Sequence, residues 1–127
     1  MSKTPTNTHS TMFVRWKTSI RKTRWRSDIL LSAVLVESRR EGGRPRQKFI
    51  RHLGSVRQSS LGLVLATGSF WKRVDQSLGA LDLSPEERRA IEARIALRVP
   101  RPEPEALEQA RQEKEEQWAK LMATMKR

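Results

Sequence analysis

Cysteine is missing from the 127-residue chain, and its absence removes several classes of function at once. The chain has no disulfide framework, no thiolate metal site and no cysteine nucleophile. Only two histidines are present, and histidine alone at that number builds no common zinc site. We therefore expect no metal and no cofactor, and a reducing compartment such as the cytoplasm.

Long hydrophobic runs are also missing. The longest, Ile29–Val36 and Leu61–Ala66, fall far short of the roughly 20 apolar residues that a membrane span requires, so we expect no membrane partner. No secretory signal pattern is visible. The amino-terminal segment up to Ser27 lacks acids and is rich in Ser, Thr and Arg. This composition is typical of a flexible basic arm or an organellar transit peptide, and the arm is the simpler interpretation.

The residue constellations of enzymes are missing as well. His9 lies in a polar tail, and His52 stands on a predicted strand without a carboxylate pattern nearby. The glycine pair in REGGRPR has neither the spacing of a P-loop nor a following helix. Because nothing supplies a nucleophile, a base and an orienting group together, we predict a non-enzymatic protein.

What the chain has in abundance is positive charge, concentrated in its first half. The net charge is +12, from 26 Lys or Arg and 14 Asp or Glu. Residues 1–60 carry 14 basic and 3 acidic side chains, whereas residues 61–127 carry 12 and 11. A half-chain this basic is typical of a protein that binds nucleic acid, an anionic membrane or an acidic protein.

A β-hairpin is predicted at the centre of the basic half, over Val36–Gly54. Gly42 and Gly43 are expected to shape a two-residue turn, which requires positive φ. The strand pairing then follows directly. The predicted opposite pairs are Glu41 with Arg44, Arg40 with Pro45, Arg39 with Arg46, Ser38 with Gln47, Glu37 with Lys48, and Val36 with Phe49.

One of these pairs is unfavourable. Arg39 opposite Arg46 places like charges face to face, which destabilises a sheet. Such a pair is tolerated more easily when an anion lies between the two guanidinium groups.

The chain is predicted to be α+β, with a small three-stranded antiparallel sheet packed against helices and followed by a carboxy-terminal helix. We expect a disordered tail at 1–11 and a basic domain at 12–99. Within that domain the sheet covers 12–56 and the helices cover 69–99. Residues 100–127 are expected to form a proline-rich linker and the last helix.

The first strand is predicted at Met12–Thr18, joined by a basic connector at Ser19–Asp28 to an apolar central strand that begins at Ile29. The third strand is the second half of the hairpin and ends near Val56. Residues 61–66 fit either a helix or a short buried segment.

Three helices are predicted. The first is capped by Ser69, runs to about Gly79 and buries Phe70, Val74 and Leu78. The second has an N-cap at Ser84, a proline at N1 and a capping-box Glu87. Its apolar side is expected to comprise Ile91, Ile95 and Leu97.

The last helix is predicted at Glu105–Arg127. Its apolar stripe continues poorly towards the amino end, which favours a docking patch for a protein partner or a second copy over a coiled coil. The stripe consists of Trp118, Leu121, Met122 and Met125.

Arginine dominates the predicted contact set, because guanidinium forks suit phosphates and guanine edges. Trp16 and Trp25 are further candidates for stacking on bases, although Trp16 on a strand is more typical of a core. The candidate nucleic-acid contacts are Arg39, Arg40, Arg44, Arg46, Lys48 and Arg51 on the hairpin, with Arg21, Lys22, Arg24 and Arg26 as a second strap.

The segment LVESRREGGRPRQKFIRHLGSV, residues 35–56, resembles a segment near the amino terminus of DDE-type insertion-sequence transposases. The likeness covers under a fifth of the chain and includes none of the catalytic carboxylates, so it implies no transposase activity. The part after Ser60 resembles short uncharacterised bacterial proteins. This resemblance implies a bacterial protein, and we expect it in the cytoplasm, where association with the nucleoid is one option.

The sequence thus predicts a non-enzymatic nucleic-acid-binding protein, with DNA favoured over RNA, acting as an accessory or regulatory factor of a mobile element. Two alternatives stay open at this stage. One is a basic protein that binds and regulates an acidic protein, and the other is an RNA-binding or ribosome-associated protein.

Overall fold

The computed structural model describes residues 11–125, and these form a three-stranded sheet, a short 3-10 helix at Gln58–Ser60 and three α-helices. The predicted α+β class and element order are confirmed. The sequence predicts a disordered tail at 1–11. Residues 1–10 lie outside the described residues, and Thr11 begins the first strand. The strands are β1 (Thr11–Lys22), β2 (Ser27–Glu41) and β3 (Arg44–Arg57), and the helices are α1 (Val64–Gly79), α2 (Pro85–Ala96) and α3 (Pro104–Met125).

The sheet is an antiparallel meander in the order β1-β2-β3. All six predicted pairs of the β2–β3 hairpin are confirmed, from Glu41 with Arg44 to Val36 with Phe49. Gly42 and Gly43 have φ of 61° and 79°, as the tight turn requires. Pro45 lies on an edge strand, where a missing N–H is tolerated.

The first hairpin is longer than predicted. β1 continues to Lys22, so the expected connector over Ser19–Asp28 shrinks to the turn Thr23–Arg26. The Thr23 hydroxyl closes this turn, accepting from the Arg26 N–H at 3.1 Å and donating to the Arg26 carbonyl at 3.0 Å. Pairing with β2 along its whole length therefore outweighs the low strand propensity of the lysines and arginines.

The helices cover one face of the sheet. Trp16 of β1 lies on this side and stacks on Phe70 of α1, with ring centroids 6.2 Å apart, which confirms Trp16 as a core residue. Gly54 allows the close approach, because a Cβ there would lie 3.3 Å from Phe70. The buried core comprises Leu31, Ala33, Leu35, Leu53, Val56, Phe70, Trp71, Val74, Leu78, Ile91, Ile95 and Val99.

α1 begins at Val64, so the predicted start at Ser69 is wrong. Thr67 and the partly buried Ala66 lie one turn before Phe70 and pack towards the core, which extends the helix amino-terminally. Ser69 is exposed inside the helix. Tertiary packing thus overrides the capping preference of serine, and it settles residues 64–66 as helix.

The capping box at the start of α2 is confirmed. The Ser84 hydroxyl accepts from the Glu87 N–H at 3.1 Å, and the Glu87 carboxylate accepts from the Ser84 N–H at 2.9 Å. Ile91 and Ile95 are buried, whereas Leu97 is 83% exposed and was wrongly assigned to the apolar side. Leu97 keeps helical backbone angles and follows the buried Ile95 by two residues, about 200° around the helix axis, so its side chain lies on the opposite side.

The proline-rich segment after α2 is docked on α1 and does not act as a free spacer. Val99 is buried, and its carbonyl accepts from the Trp71 indole N–H at 2.9 Å. The Arg101 guanidinium lies 4.1 Å from the centre of the Trp71 ring and forms two hydrogen bonds of 3.0 Å with the Asp75 carboxylate. These bonds raise the pKa of Arg101.

α3 touches the rest of the fold near its start. Leu107 packs on Gly68 of α1, where a Cβ would lie 2.5 Å from a Leu107 methyl group. From Arg111 to Met125 every side chain is exposed. In the described part of the chain, none of the helices is both long enough and apolar enough to cross a membrane.

Candidate nucleic-acid interface

The sheet carries almost all of the excess positive charge. Residues 11–57 contain 13 Lys or Arg and 3 acids, a net charge of +10, whereas residues 58–125 contain 10 and 11, a net charge of −1. Ion pairs follow the same division. Within residues 11–125, the cations of the sheet that have a carboxylate oxygen within 4.0 Å are Arg39 and Arg46. The other sheet cations are available to an external anion.

The tip of the β2–β3 hairpin forms one cluster of the predicted contacts. The strand alternation places Arg39, Arg44, Arg46 and Lys48 on one face of the hairpin and Arg40 on the other. The predicted set is therefore split between two faces.

The like-charge pair in this tip has an internal explanation. The Glu37 carboxylate lies 2.9 Å from Nε of Arg39, and the Glu41 carboxylate lies 3.9 Å from Nε of Arg46. Acids on the same face therefore compensate the repulsion between Arg39 and Arg46, and the pair by itself does not require a bound anion.

The β1–β2 turn forms a second basic cluster at the opposite end of the sheet. Arg21, Lys22, Arg24 and Arg26 surround it, and Trp25 at its tip is 86% exposed. The Arg24 guanidinium lies 5.7 Å from the centre of the Trp25 ring. Because β2 spans 15 residues at about 3.3 Å each, the two clusters lie roughly 45 Å apart.

The second face of the sheet is not covered by α1, α2 or α3, and aromatic and basic residues line it. The register aligns three rows of side chains across this face. Successive residues alternate between faces along β1 and β2, and register shifts of β3 opposite Ala33/Val34 and Leu35/Val36 bring Phe49, His52 and Ser55 to the same face. We call this surface the open face. Its rows are Phe13–Val36–Phe49, Arg15–Val34–His52 and Lys17–Ser32–Ser55.

Hydrogen bonds fix the polar groups of the open face. The Arg15 guanidinium on β1 donates to the Gln47 side-chain carbonyl on β3 at 3.0 Å, and so crosses above β2. The Ser55 hydroxyl lies 2.8 Å from the Ser32 hydroxyl and 2.9 Å from Nε2 of His52. Donors and acceptors are thus held at defined positions on all three strands.

Asp28 is the one acid of the open face among the described residues, and it is already engaged. The Ser59 hydroxyl donates a hydrogen bond to its carboxylate, and the Ile29 N–H donates another at 2.8 Å. These bonds and the charge of Arg57 hold the pKa of Asp28 below its ordinary value, against a smaller opposing effect of desolvation.

Arg51 lies apart from the two clusters. It shares a shallow depression on the β3 edge with His52 and with Arg73 of α1. Arg51 thus lies on the predicted hairpin, in β3 opposite Leu35, away from the tip.

Sequence reasoning missed the aromatic part of the open face. The sequence predicts Phe49 opposite Val36 and places Phe13 in the first strand. It does not predict that Phe13, Val36 and Phe49 form one row across the sheet. Residues of β1 at odd distances from Trp16, a core residue, lie on the opposite face, and these include Phe13, Arg15 and Lys17. The helix-covered face, which decides this assignment, is set by packing.

The predicted partner stripe on α3 is exposed in its entirety. Each of its residues is exposed, and none belongs to the buried core: Trp118, Leu121, Met122 and Met125. Within 11–125, no three His, Asp or Glu side chains come together as metal ligands. No protein-family model, curated protein or solved structure matches this chain.

Proposed function

We propose that this chain is a non-enzymatic nucleic-acid-binding protein, with DNA as the favoured ligand. The observation that carries the proposal is the net charge of +10 on the sheet, beside helices with a net charge of −1. A positive surface on one part of a domain is the electrostatic signature of phosphate-backbone binding.

The placement of the charge supports a long polyanion as the ligand. Cationic clusters lie at both ends of the sheet, with Arg15, Lys17 and Arg57 between them. A nucleic acid presents regularly spaced phosphates that can reach all of these positions. The proposed role as an accessory or regulatory factor of a mobile element, in the bacterial cytoplasm, rests on the resemblance of residues 35–56.

The test is a titration of the purified chain against labelled duplex DNA, duplex RNA and single strands between 50 and 300 mM salt. Binding to duplex DNA is expected to weaken linearly on a log–log plot, with a slope of about 0.9 per phosphate neutralised. Arg40→Ala combined with Arg44→Ala removes two charges that have no ion pair within 11–125 and is expected to reduce the slope by up to about 2.

The matched control is Arg89→Ala combined with Lys114→Ala, which removes the same charge from exposed positions on α2 and α3. It is expected to leave the slope unchanged. Equal effects of the two double variants, or feeble binding to every nucleic acid at 150 mM salt, would contradict the proposal. In that case the acidic-protein alternative is tested by co-purification after nuclease treatment.

A further inference from the structure

We propose that the open face binds unpaired nucleotides, with bases stacked on Phe49 and Phe13 and phosphates held by the surrounding cations. This inference rests on the proposed function and identifies the ligand as single-stranded nucleic acid. The hairpin tips then serve as outlying phosphate contacts, and the open face reads the bases.

The first support is the burial of the centre of the open face. Val34 and Val36 are 2% and 4% exposed, yet neither belongs to the core that the helices cover. Their cross-strand neighbours are Arg15, His52, Phe13 and Phe49. The outer strands therefore supply the cover, and they form a continuous surface above β2.

The second support is the exposed aromatic ring at the edge of this surface. Phe49 is 58% exposed on a face that already buries its valines, so folding leaves much of its ring available. Single-stranded nucleic-acid sites combine such rings with positive charge, because every base has a π-face that stacks. In a duplex those π-faces are covered by neighbouring base pairs, so stacking selects unpaired bases.

Charge complementarity identifies the occupant. The open face carries Arg15, Lys17, Arg21, Arg40 and Arg57, against the acid Asp28, which Ser59 and Ile29 already engage. This charge repels a second copy of the same face and attracts a polyanion. The acids of the hairpin, Glu37 and Glu41, lie on the opposite face.

Polar groups between the rings and cations complete the site. His52, Ser55 and Gln47 present hydrogen-bonding atoms that their neighbours hold in place. Base edges that are free of Watson–Crick pairing can use such donors and acceptors. The open face thus offers stacking, edge contacts and phosphate contacts within three adjacent strands.

The experiment measures fluorescence anisotropy with a labelled 12-nucleotide single strand and the duplex of the same sequence, each as DNA and as RNA. Phe49→Ala is expected to weaken single-strand binding by about 5- to 150-fold, the range for loss of one stacked base, and to change duplex binding less than twofold. Phe49→Trp is expected to retain single-strand binding, whereas Phe49→Leu, which keeps apolar bulk without a π-face, is expected to lose it. Trp118→Ala removes an exposed aromatic ring from α3 and is the matched control, expected to change neither affinity.

The outcomes separate this inference from the proposed function. If the wild-type chain binds duplex and Phe49→Ala weakens neither form selectively, the inference fails and the proposed function stands. If the wild-type chain binds no nucleic acid, both fail. If sedimentation shows a wild-type dimer that Phe49→Ala dissociates, the open face is a self-interface and the inference is overturned. If the single RNA strand binds more tightly than the single DNA strand, the inference stands, with RNA in place of DNA as the ligand.

Discussion

At the scale of single residues, the two hairpin glycines have a conformational role that can be measured separately from ligand binding. Gly43 has φ of 79° and nothing within 4 Å of the position that a Cβ would occupy. Gly43→Ala therefore meets no clash, and its cost comes from the backbone alone. We expect the free energy of unfolding to fall by about 1–2 kcal/mol, measured by urea denaturation.

The control for this glycine is Gly62→Ala. Gly62 also has open space around it but lacks a positive φ. Alanine there is expected to be neutral or to stabilise by up to about 1 kcal/mol through the unfolded state. An equal loss in both variants would refute the assignment of the Gly43 cost to its left-handed backbone.

Asp28 gives the second prediction at this scale. Its folded pKa lies below the unfolded value, so its contribution to stability is fully present above about pH 4 and is lost as the pH falls through the folded pKa. Ser59→Ala removes the largest cause of that shift. We expect it to lower the melting temperature at pH 6 and to lose this effect on acidification below about pH 4.

Ser60→Ala is the matched control for Ser59→Ala, because it removes a neighbouring hydroxyl that makes no hydrogen bond to Asp28. An NMR titration of the Asp28 carboxyl group provides the direct measurement. The expected result is a raised pKa in Ser59→Ala and no change in Ser60→Ala. A destabilisation that is constant from pH 6 to pH 3 would contradict the role assigned to the carboxylate.

At the scale of elements, a buried hydrogen bond holds the segment after α2 on α1. It joins the Trp71 indole to the Val99 carbonyl. Trp71→Phe leaves the buried carbonyl of Val99 without its donor and reduces the volume of a fully packed ring. We expect a loss of about 2–4 kcal/mol in the free energy of unfolding. Arg101 lies against the same ring and pairs with Asp75 at the surface. Arg101→Ala is expected to lower the free energy of unfolding by about 1 kcal/mol or less.

At the scale of the whole molecule, stability is distributed unevenly between the sheet and α3. Isolated helices are marginal in water, and α3 has no buried side chain after Arg111. We expect amide hydrogens of 111–125 to exchange within the fastest phase and those of Ala33–Val36 to exchange last. Protection of 111–125 comparable to that of β2 would contradict this prediction and indicate that a second copy covers the stripe at Trp118.

The fold was predictable where neighbouring residues decide it. The Gly42–Gly43 turn fixes a register by counting, and the Ser84–Glu87 box fixes a helix start by its own hydrogen bonds. The start of α1 and the composition of the open face were not predictable in this way. Both depend on where Phe70 packs against Trp16, a contact between residues far apart in sequence.

The candidate site divides along the same line. The positive charge of the site could be predicted from composition. The turns that carry its two basic clusters could be predicted from local sequence patterns. The row of Phe13 and Phe49 required the register of all three strands and knowledge of the face that α1 covers. The sequence of one hairpin reveals neither the register of all three strands nor the face that α1 covers.

The alternation of β2 has a consequence for how this protein can change. Leu31, Ala33 and Leu35 serve the core, while Ser32, Val34 and Val36 support the open face. The residues that pack the core and those that support the open face therefore occupy separate positions of one strand. A combinatorial library restricted to Phe13, Arg15, Lys17 and Phe49 changes the open face while the packing against the helices stays as it is, which makes the sheet a scaffold for engineering new binding surfaces.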